Sequence, residues 1–453
     1  MINLTTEKLR IQELLNQDKQ DSLTNNQEYQ QSLSFIRDHL QLFCNRYAKD
    51  NQLTPSEVAQ RITHWDKQQW LNAIRQLDTH DWPEEAQKRL TGLAKDAGIN
   101  VHHMMNAIVG AGVLAYFVHE HNLVQRRVKV DGATEIARAQ VKPRQANRLV
   151  SIVTDPENAT KWSTNLWEDS DQFTRDLQSV VSKHIRHGTS IDDLVNTLIP
   201  HSKALEKPGT NAADRLAVAK RNADRLITTE SARVKDRVNM ATYRMQGVKY
   251  VRWVTEPGAC EKCQGIADGG PYLTDDCPSI PDDSHPNCRC SKIPAGYEYL
   301  SADQLRALNE YKSSSSYLIN EALATGQNLT SEMKAKVDAI DDALKMLPHY
   351  SGEIYRSIDT TMLRTSPINF RQQYLPGNVR KEKAYSSFST DIYNPSAKIQ
   401  MHVQAAHSPR DFRSVNSAEH EILYERNSKF WVTGSTMDSK GRLLLQMEEY
   451  HGK

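Results

Sequence analysis

The chain is poor in cysteine, with six in 453 residues, so no disulfide scaffold is expected. It also lacks a long apolar run. The greasiest stretch, Ala107 to Val118, is twelve residues with two glycines, whereas a bilayer span needs about 20; a buried helix is the expectation, with no membrane partner. The start, Met1-Ile-Asn-Leu-Thr-Thr-Glu-Lys-Leu-Arg10, has no basic segment followed by an apolar one, so no secretion signal is expected. Charge of one sign is missing too: 57 Lys plus Arg against 56 Asp plus Glu leave +1. That balance excludes coating nucleic acid by bulk charge, and equally an acidic tail. There is no internal repeat, no Gly-x-x-x-x-Gly-Lys loop and no Gly-x-Gly-x-x-Gly.

What is present is an ordinary globular composition, 38% apolar and 25% charged, over a length that suggests about three domains. Residues 1 to about 246 read as helical. Thr54-Pro-Ser-Glu57 is a capping box with proline at the first helical position, and Asp81-Trp-Pro-Glu-Glu is a second helix start. From Asp214 to Gln246, residues Leu216, Ala219, Ala223, Ile227, Val234, Val238, Ala241 and Met245 recur at three- and four-residue steps, and Gly247 supplies a stop. Lys249–Val254 then changes to strand composition. Val124–Arg148 carries seven basic and two acidic residues; a solvated helix face is the plainer reading, contact with DNA or an acidic partner the sharper one. After a boundary near Ile293–Tyr299, Ser301-Ala-Asp-Gln304 restarts a helix, and two or three helices run to about Leu347. Beyond Pro348, short apolar runs between Asn, Pro, Gly and Ser turns predict mostly strand. The whole is a multidomain chain, mainly α at its N-terminal end and α+β at its C-terminal end.

Five of the six cysteines crowd into 31 residues. Cys260-Glu-Lys-Cys263 and His285-Pro-Asn-Cys288-Arg-Cys290 supply two closely spaced ligand pairs, which tetrahedral zinc requires. A structural zinc clip follows, and the spacing leaves open whether Cys288 or Cys290 ligates. Thr228-Thr-Glu-Ser-Ala-Arg, Val248-Lys-Tyr-Val-Arg-Trp-Val, the Cys-x-x-Cys pair, Gly269-Gly and the His-Pro-Asn-Cys-Arg-Cys string together resemble the phage head morphogenesis family, the Mu F-like minor capsid proteins. The resemblance covers roughly residues 150–295. It implies a virion component near the portal, added during head assembly, with portal and head proteins as partners and the host cytoplasm as the place of assembly or delivery.

Three C-terminal elements stand in order: Ile354-Tyr355-Arg356, then Ala384-Tyr385-Ser-Ser387-Phe-Ser389, then Ser417-Ala-Glu419-His-Glu421-Ile-Leu-Tyr. The last turns through Asn427-Ser and returns as Lys429-Phe-Trp-Val, predicting a hairpin. In this order they resemble the arginine–serine–glutamate class of mono-ADP-ribosyltransferases, which includes bacterial exotoxins; Glu310 to Leu323 resembles that domain's opening helix. The resemblance spans about residues 300–448. It implies a split β-sandwich with flanking helices, NAD as substrate, and catalytic roles for Arg356, Ser387, Glu419 and Glu421, with Tyr355 and Ser389 joining Arg356, Ser387 and Glu421 in holding NAD. Either Ser387 or Ser389 is the functional serine; Ser387 is preferred because Tyr385 then holds the aromatic place two residues before it.

The residue types suit that chemistry. A guanidinium can grip a pyrophosphate bidentately, and a carboxylate beside the ribose stabilises an oxocarbenium-like transition state more than the ground state. By resemblance Glu421 does this. Glu419, expected at i−2 on the same strand face, aligns or deprotonates the acceptor, which the family pairs with arginine. The expected organisation is 1–150 helical, 151–295 head morphogenesis with the Cys/His module, and 300–453 ADP-ribosyltransferase. The leading reading is a virion protein carrying an active transferase or toxin module that modifies a host protein arginine. A purely structural head protein with an inactive C-terminal domain, or an NAD glycohydrolase, are the other readings.

Overall fold

The computed structural model describes residues 3–187, 212–360 and 365–451. Residues 188–211 of the expected middle domain, and the side chain of Leu216, lie outside the described residues. The chain divides into two compact units: residues 9–242 with 279–289, and residues 1–8 with 243–278 and 290–453.

The first unit is helical. Its long elements are Leu4–Tyr47, Val101–Ala139, Pro156–Arg186 and Ala212–Met245. The Thr54 capping box starts a single turn, Pro55–Val58, and the Asp81 start becomes Glu84–Ala97. Val101–Ala139 is long and apolar enough to cross a membrane by length and composition, yet 78% of its most apolar window is buried inside the protein. Ile108, Val109, Ala111 and Val113 are wholly buried there. Gly112 permits this packing, because a Cβ at that position would collide with Ile36 and the Ser32 hydroxyl already bonds the Gly112 carbonyl at 2.7 Å.

The basic stretch after Val124 is only partly a solvated face. Arg127 is buried and pairs with Asp21 at 2.6 Å and Asp131 at 3.1 Å. Two of the sequence strings meet in this unit. Arg289 donates to the Ser231 hydroxyl at 2.7 Å and to Asp18 at 2.6 Å, and the Asn287 amide donates to Thr229 Oγ1 at 3.1 Å. These residues fasten the 279–289 segment to the Ala212–Met245 helix, which accounts structurally for part of both strings. That helix ends as expected, with Gly247 at φ +72°.

In the second unit, β1 (Tyr250–Val254) lies between β2 (Tyr272–Leu273) and β3 (Ser291–Ala295) in a small antiparallel sheet. The capping box at Ser301 forms, and helices Ala302–Glu310, Ser316–Thr325 and Ser331–Leu344 follow. The expected opening helix from Glu310 is broken: at Ser313 the backbone leaves the helical region, and the helix resumes at Ser316.

The remaining strands are β4 (Gly352–Ile358), β5 (Val379–Lys381), β6 (Ser386–Ser389), β7 (Ile399–Ala405), β8 (Arg410–Asp411), β9 (Glu421–Tyr424), β10 (Lys429–Met437) and β11 (Leu443–Glu449). Their order is β5-β10-β11-β7-β4-β6-β9-β8. Seven residue pairs join β4 to β7, but only Tyr355↔Ser389 joins β4 to β6, so the sheet is split at that point. Alternation places Ile354, Met401, Val403, Leu445 and Met447 from one half in the same core as Phe388, Ile422 and Tyr424 from the other. Tyr424 meets Phe430 edge-on at 4.7 Å although their strands do not pair. Two layers thus share one core, a split sandwich.

The hairpin expected between β9 and β10 does not form. β9 pairs with β6 and β8, and β10 with β11 and β5. The turn at Asn427, φ +70°, instead carries the chain from one layer to the other. Both strands bury alternate side chains in the core between the layers, which is satisfied by crossing as well as by pairing.

Candidate active site

The split between β4 and β6 is where the C-terminal site residues gather. Arg356 lies two residues after the core residue Ile354 and so shares its face of β4, with its guanidinium 6.0 Å from the Phe388 ring centroid. Tyr355 stands on the opposite face, stacked on His402 at 4.9 Å and bonded through its hydroxyl to Glu353. Period-two alternation therefore separates the Tyr355 side chain from that of Arg356, while its backbone pairs with Ser389.

On β6, Phe388 enters the core while Ser387 and Ser389 face the other way. Tyr385, on the Ser387 face, is buried, and its hydroxyl bonds Asp341 at 2.6 Å and the Val337 carbonyl at 3.2 Å. That contact pins β6 to the Ser331–Leu344 helix and fixes the height of Ser387. The Ser387 hydroxyl faces the Glu421 carboxylate and favours its ionised form by hydrogen bonding. Ser389 does something else: its hydroxyl donates to the Glu419 carbonyl at 2.9 Å. Of the two candidate serines, Ser387 is the one that addresses a carboxylate.

Glu421 opens β9 and is 5% exposed. Burial raises its pKa; Ser387 and Asn416 oppose the shift by hydrogen bonding, Glu419 adds to it, and Arg356 opposes it. Glu419 is exposed and lies before the strand, not on it. His420 between them adopts a left-handed backbone, φ +46°, so the expected i−2 strand geometry is replaced by a turn. The two carboxylates nevertheless converge, because Asn416 Nδ2 donates to Glu419 at 3.1 Å and to Glu421 at 2.8 Å.

Two contributors escape sequence reasoning. Asn416 carried no signal beyond standing five residues before Glu421. Tyr311 stands in the expected opening helix; it is buried edge-on against Tyr385 at 5.4 Å, and burial raises its pKa, opposed by a hydrogen bond from Asn320, with Glu421 adding to the rise and Arg356 opposing it. Its hydroxyl thus lies within the electrostatic reach of both.

The cysteine–histidine residues fall in different units. In the second, Cys260 and Cys263 lie within 4.8 Å of each other, as do Cys263 and Cys290; in the first, His285 and Cys288 lie within 4.8 Å. Cys263, Cys288 and Cys290 are buried, and no cysteine of the chain is in a disulfide.

A buried carboxylate backed by a serine, a guanidinium two strands away on β4 and a second, exposed carboxylate are groups suited to cutting an N-glycosidic bond and holding its pyrophosphate. Residues 291–450 match the family described as ADP-ribosyltransferase exoenzyme. The Mycobacterium avium (strain 104) protein Mav, whose name assigns it NAD(+)–arginine ADP-ribosyltransferase activity, is 34% identical over 158 residues, covering 33% of this chain and 18% of Mav. The C3 exoenzyme of Clostridium limosum aligns over 34% of this chain and 87% of its own, at 18% identity and a TM-score of 0.29. Exoenzyme S of Pseudomonas aeruginosa, solved with human 14-3-3 protein beta and carba-NAD, aligns over 34% and 76%, at 21% identity and 0.29. The C-terminal part of this chain, residues 291–450, is thus similar to the ADP-ribosyltransferase exoenzyme family, and the chain spans about a fifth of the length of the curated relative it matches.

Proposed function

We propose that the chain transfers ADP-ribose from NAD to an arginine of a host protein, releasing nicotinamide. The observation that carries this is the paired carboxylates: Glu421 buried against Ser387 for the ribose, Glu419 exposed beside it for the acceptor. Arg356 would hold the NAD pyrophosphate, and Glu421 would stabilise the oxocarbenium-like ribose as the nicotinamide bond breaks. Glu419 would take the proton of the attacking guanidinium nitrogen. An acidic, exposed carboxylate suits a cationic acceptor, and the name of Mav supports arginine. The chain spans 18% of that relative, so the likeness speaks for this domain and not for a shared whole-protein role. Incubation with labelled NAD and an arginine-bearing acceptor, with wild type and Glu419→Gln, tests the assignment. Glu419→Gln should lose transfer and keep nicotinamide release; equal loss of both would contradict the role of Glu419, and nicotinamide release without transfer by the wild type would favour an NAD glycohydrolase.

A role as a phage minor capsid protein placed near the portal is the second part of this reading. It rests on the His285–Cys290 and Thr228–Arg233 strings and on the long N-terminal helices. Sedimentation of the protein with purified virions would support it; its absence from particles would leave a toxin module acting in its own right. A structural zinc is supported by the ligand chemistry: buried thiols near the His285 imidazole, which the Nδ1 bond to the Pro286 carbonyl at 2.7 Å orients. Metal analysis should find about one equivalent.

A further inference from the structure

Asn416 sits at the centre of the loop between β8 and β9, and the loop is built around it. Its backbone amide donates to the Phe412 carbonyl at 2.9 Å, and its own carbonyl accepts from the Glu421 amide at 3.4 Å. Phe412 is wholly buried and Val415 nearly so, which anchors both ends of that turn. The Phe412 amide closes the loop onto the Glu421 carbonyl at 3.1 Å, and Lys312 donates to the Val415 carbonyl at 3.3 Å. The backbone of Asn416 is therefore fixed independently of its side chain.

The side chain then has one task. A primary amide nitrogen carries two hydrogens, and Asn416 Nδ2 lies 3.1 Å from Glu419 Oε2 and 2.8 Å from Glu421 Oε2. Each carboxylate takes one. The two glutamates repel as like charges, and Glu419 has no other side-chain hydrogen bond among the described residues. The rest of the turn is held elsewhere: Ser389 bonds the Glu419 carbonyl, the His420 carbonyl accepts from the Thr390 amide, and the His420 ring meets the Asp391 carboxylate at 2.7 Å. None of these aims the Glu419 carboxylate.

We infer that Asn416 is the positioning residue that holds Glu419 beside Glu421, and that it thereby sets the partition between ADP-ribosyl transfer and NAD hydrolysis. The inference rests on the transferase reading above. In both outcomes the bond between nicotinamide and ribose C1′ breaks and nicotinamide leaves with the bonding pair. In transfer, a guanidinium nitrogen forms the new bond to C1′ and its proton passes to Glu419. In hydrolysis, water forms that bond and its proton goes to solvent. Only the first outcome needs Glu419 held close to the ribose. A charge-assisted hydrogen bond of this kind is worth a factor of about ten or more in the population of the held position.

The test compares wild type, Asn416→Ala and Asn416→Asp in nicotinamide release and in labelled transfer to an arginine acceptor. Asn416→Ala should lower the ratio of transfer to hydrolysis about tenfold, while its KM for NAD stays near the wild-type value. Asn416→Asp adds a third carboxylate and should move the acid limb of activity to higher pH, with transfer partly restored where that group is protonated. An unchanged ratio in Asn416→Ala, with an unmoved acid limb in Asn416→Asp, would overturn the inference and leave the transferase reading intact. Absence of any NAD turnover by wild type would sink the transferase reading. In that event carboxyl titration by NMR still decides on Asn416: the Glu421 titration should move up in Asn416→Ala, and an unmoved one contradicts the clamp.

Discussion

Ser387 and Glu421 meet diagonally across the β6–β9 ladder. Ser387 pairs with Leu423 and Ser389 with Glu421, so Ser387 is offset from Glu421 by two residues on the same face. A glutamate side chain bridges that diagonal easily, and the serine hydroxyl then steadies the carboxylate in a site where burial opposes its charge. Ser387→Ala should slow NAD cleavage about tenfold and leave Ser389→Ala the milder variant, as measured by nicotinamide release.

The raised pKa of Glu421 sets an acid limb. Activity needs its ionised form, so kcat/KM should fall on acidification at a pH above the ordinary carboxylate value of about 4.3. The stability consequence has the opposite sense. A carboxyl whose folded pKa is raised contributes stability fully below its unfolded pKa, and loses it as pH rises through the folded one. Glu421→Gln should therefore be inactive at pH 7 yet melt no lower than wild type there. A variant that melts well below wild type would contradict this.

Tyr385 tests the mounting of the site. Its hydroxyl bonds Asp341, which also pairs with Arg426 at 2.7 Å, so one carboxylate ties β6 and the β9–β10 turn to the same helix. Tyr385→Phe should cost about 1–2 kcal/mol, seen as a fall in denaturation midpoint. NAD cleavage should slow in step with any loss of Ser387 placement.

Tyr355 supplies a negative control. It faces away from Arg356 and, among the described residues, its hydroxyl bonds Glu353. Tyr355→Phe should keep NAD affinity within about twofold of wild type, whereas Arg356→Lys should weaken it about tenfold or more through loss of bidentate contact. A large loss in Tyr355→Phe would place NAD on the other face of β4.

Much of this site was legible because its chemistry depends on rare conjunctions: an arginine, a serine and a pair of glutamates in fixed order. The helix starts at Thr54 and Ser301 and the stop at Gly247 were legible for a local reason, since caps are satisfied within one turn of chain. What was not legible is non-local. β9 and β10 read as a hairpin because a strand, an Asn-Ser turn and a strand look alike whether they pair or cross between layers. Glu419 looked like a strand residue because nothing in Glu-His-Glu announces that His420 will turn left-handed. Asn416 was invisible because its meaning lies in two carboxylates brought to it by folding.

The central claim is that Glu421 drives cleavage of the nicotinamide–ribose bond. It is tested most directly by measuring nicotinamide release from NAD by the purified full chain and by Glu421→Gln. Wild type should release nicotinamide steadily and Glu421→Gln at least about a hundredfold more slowly; equal release by the two proteins would contradict the role of Glu421.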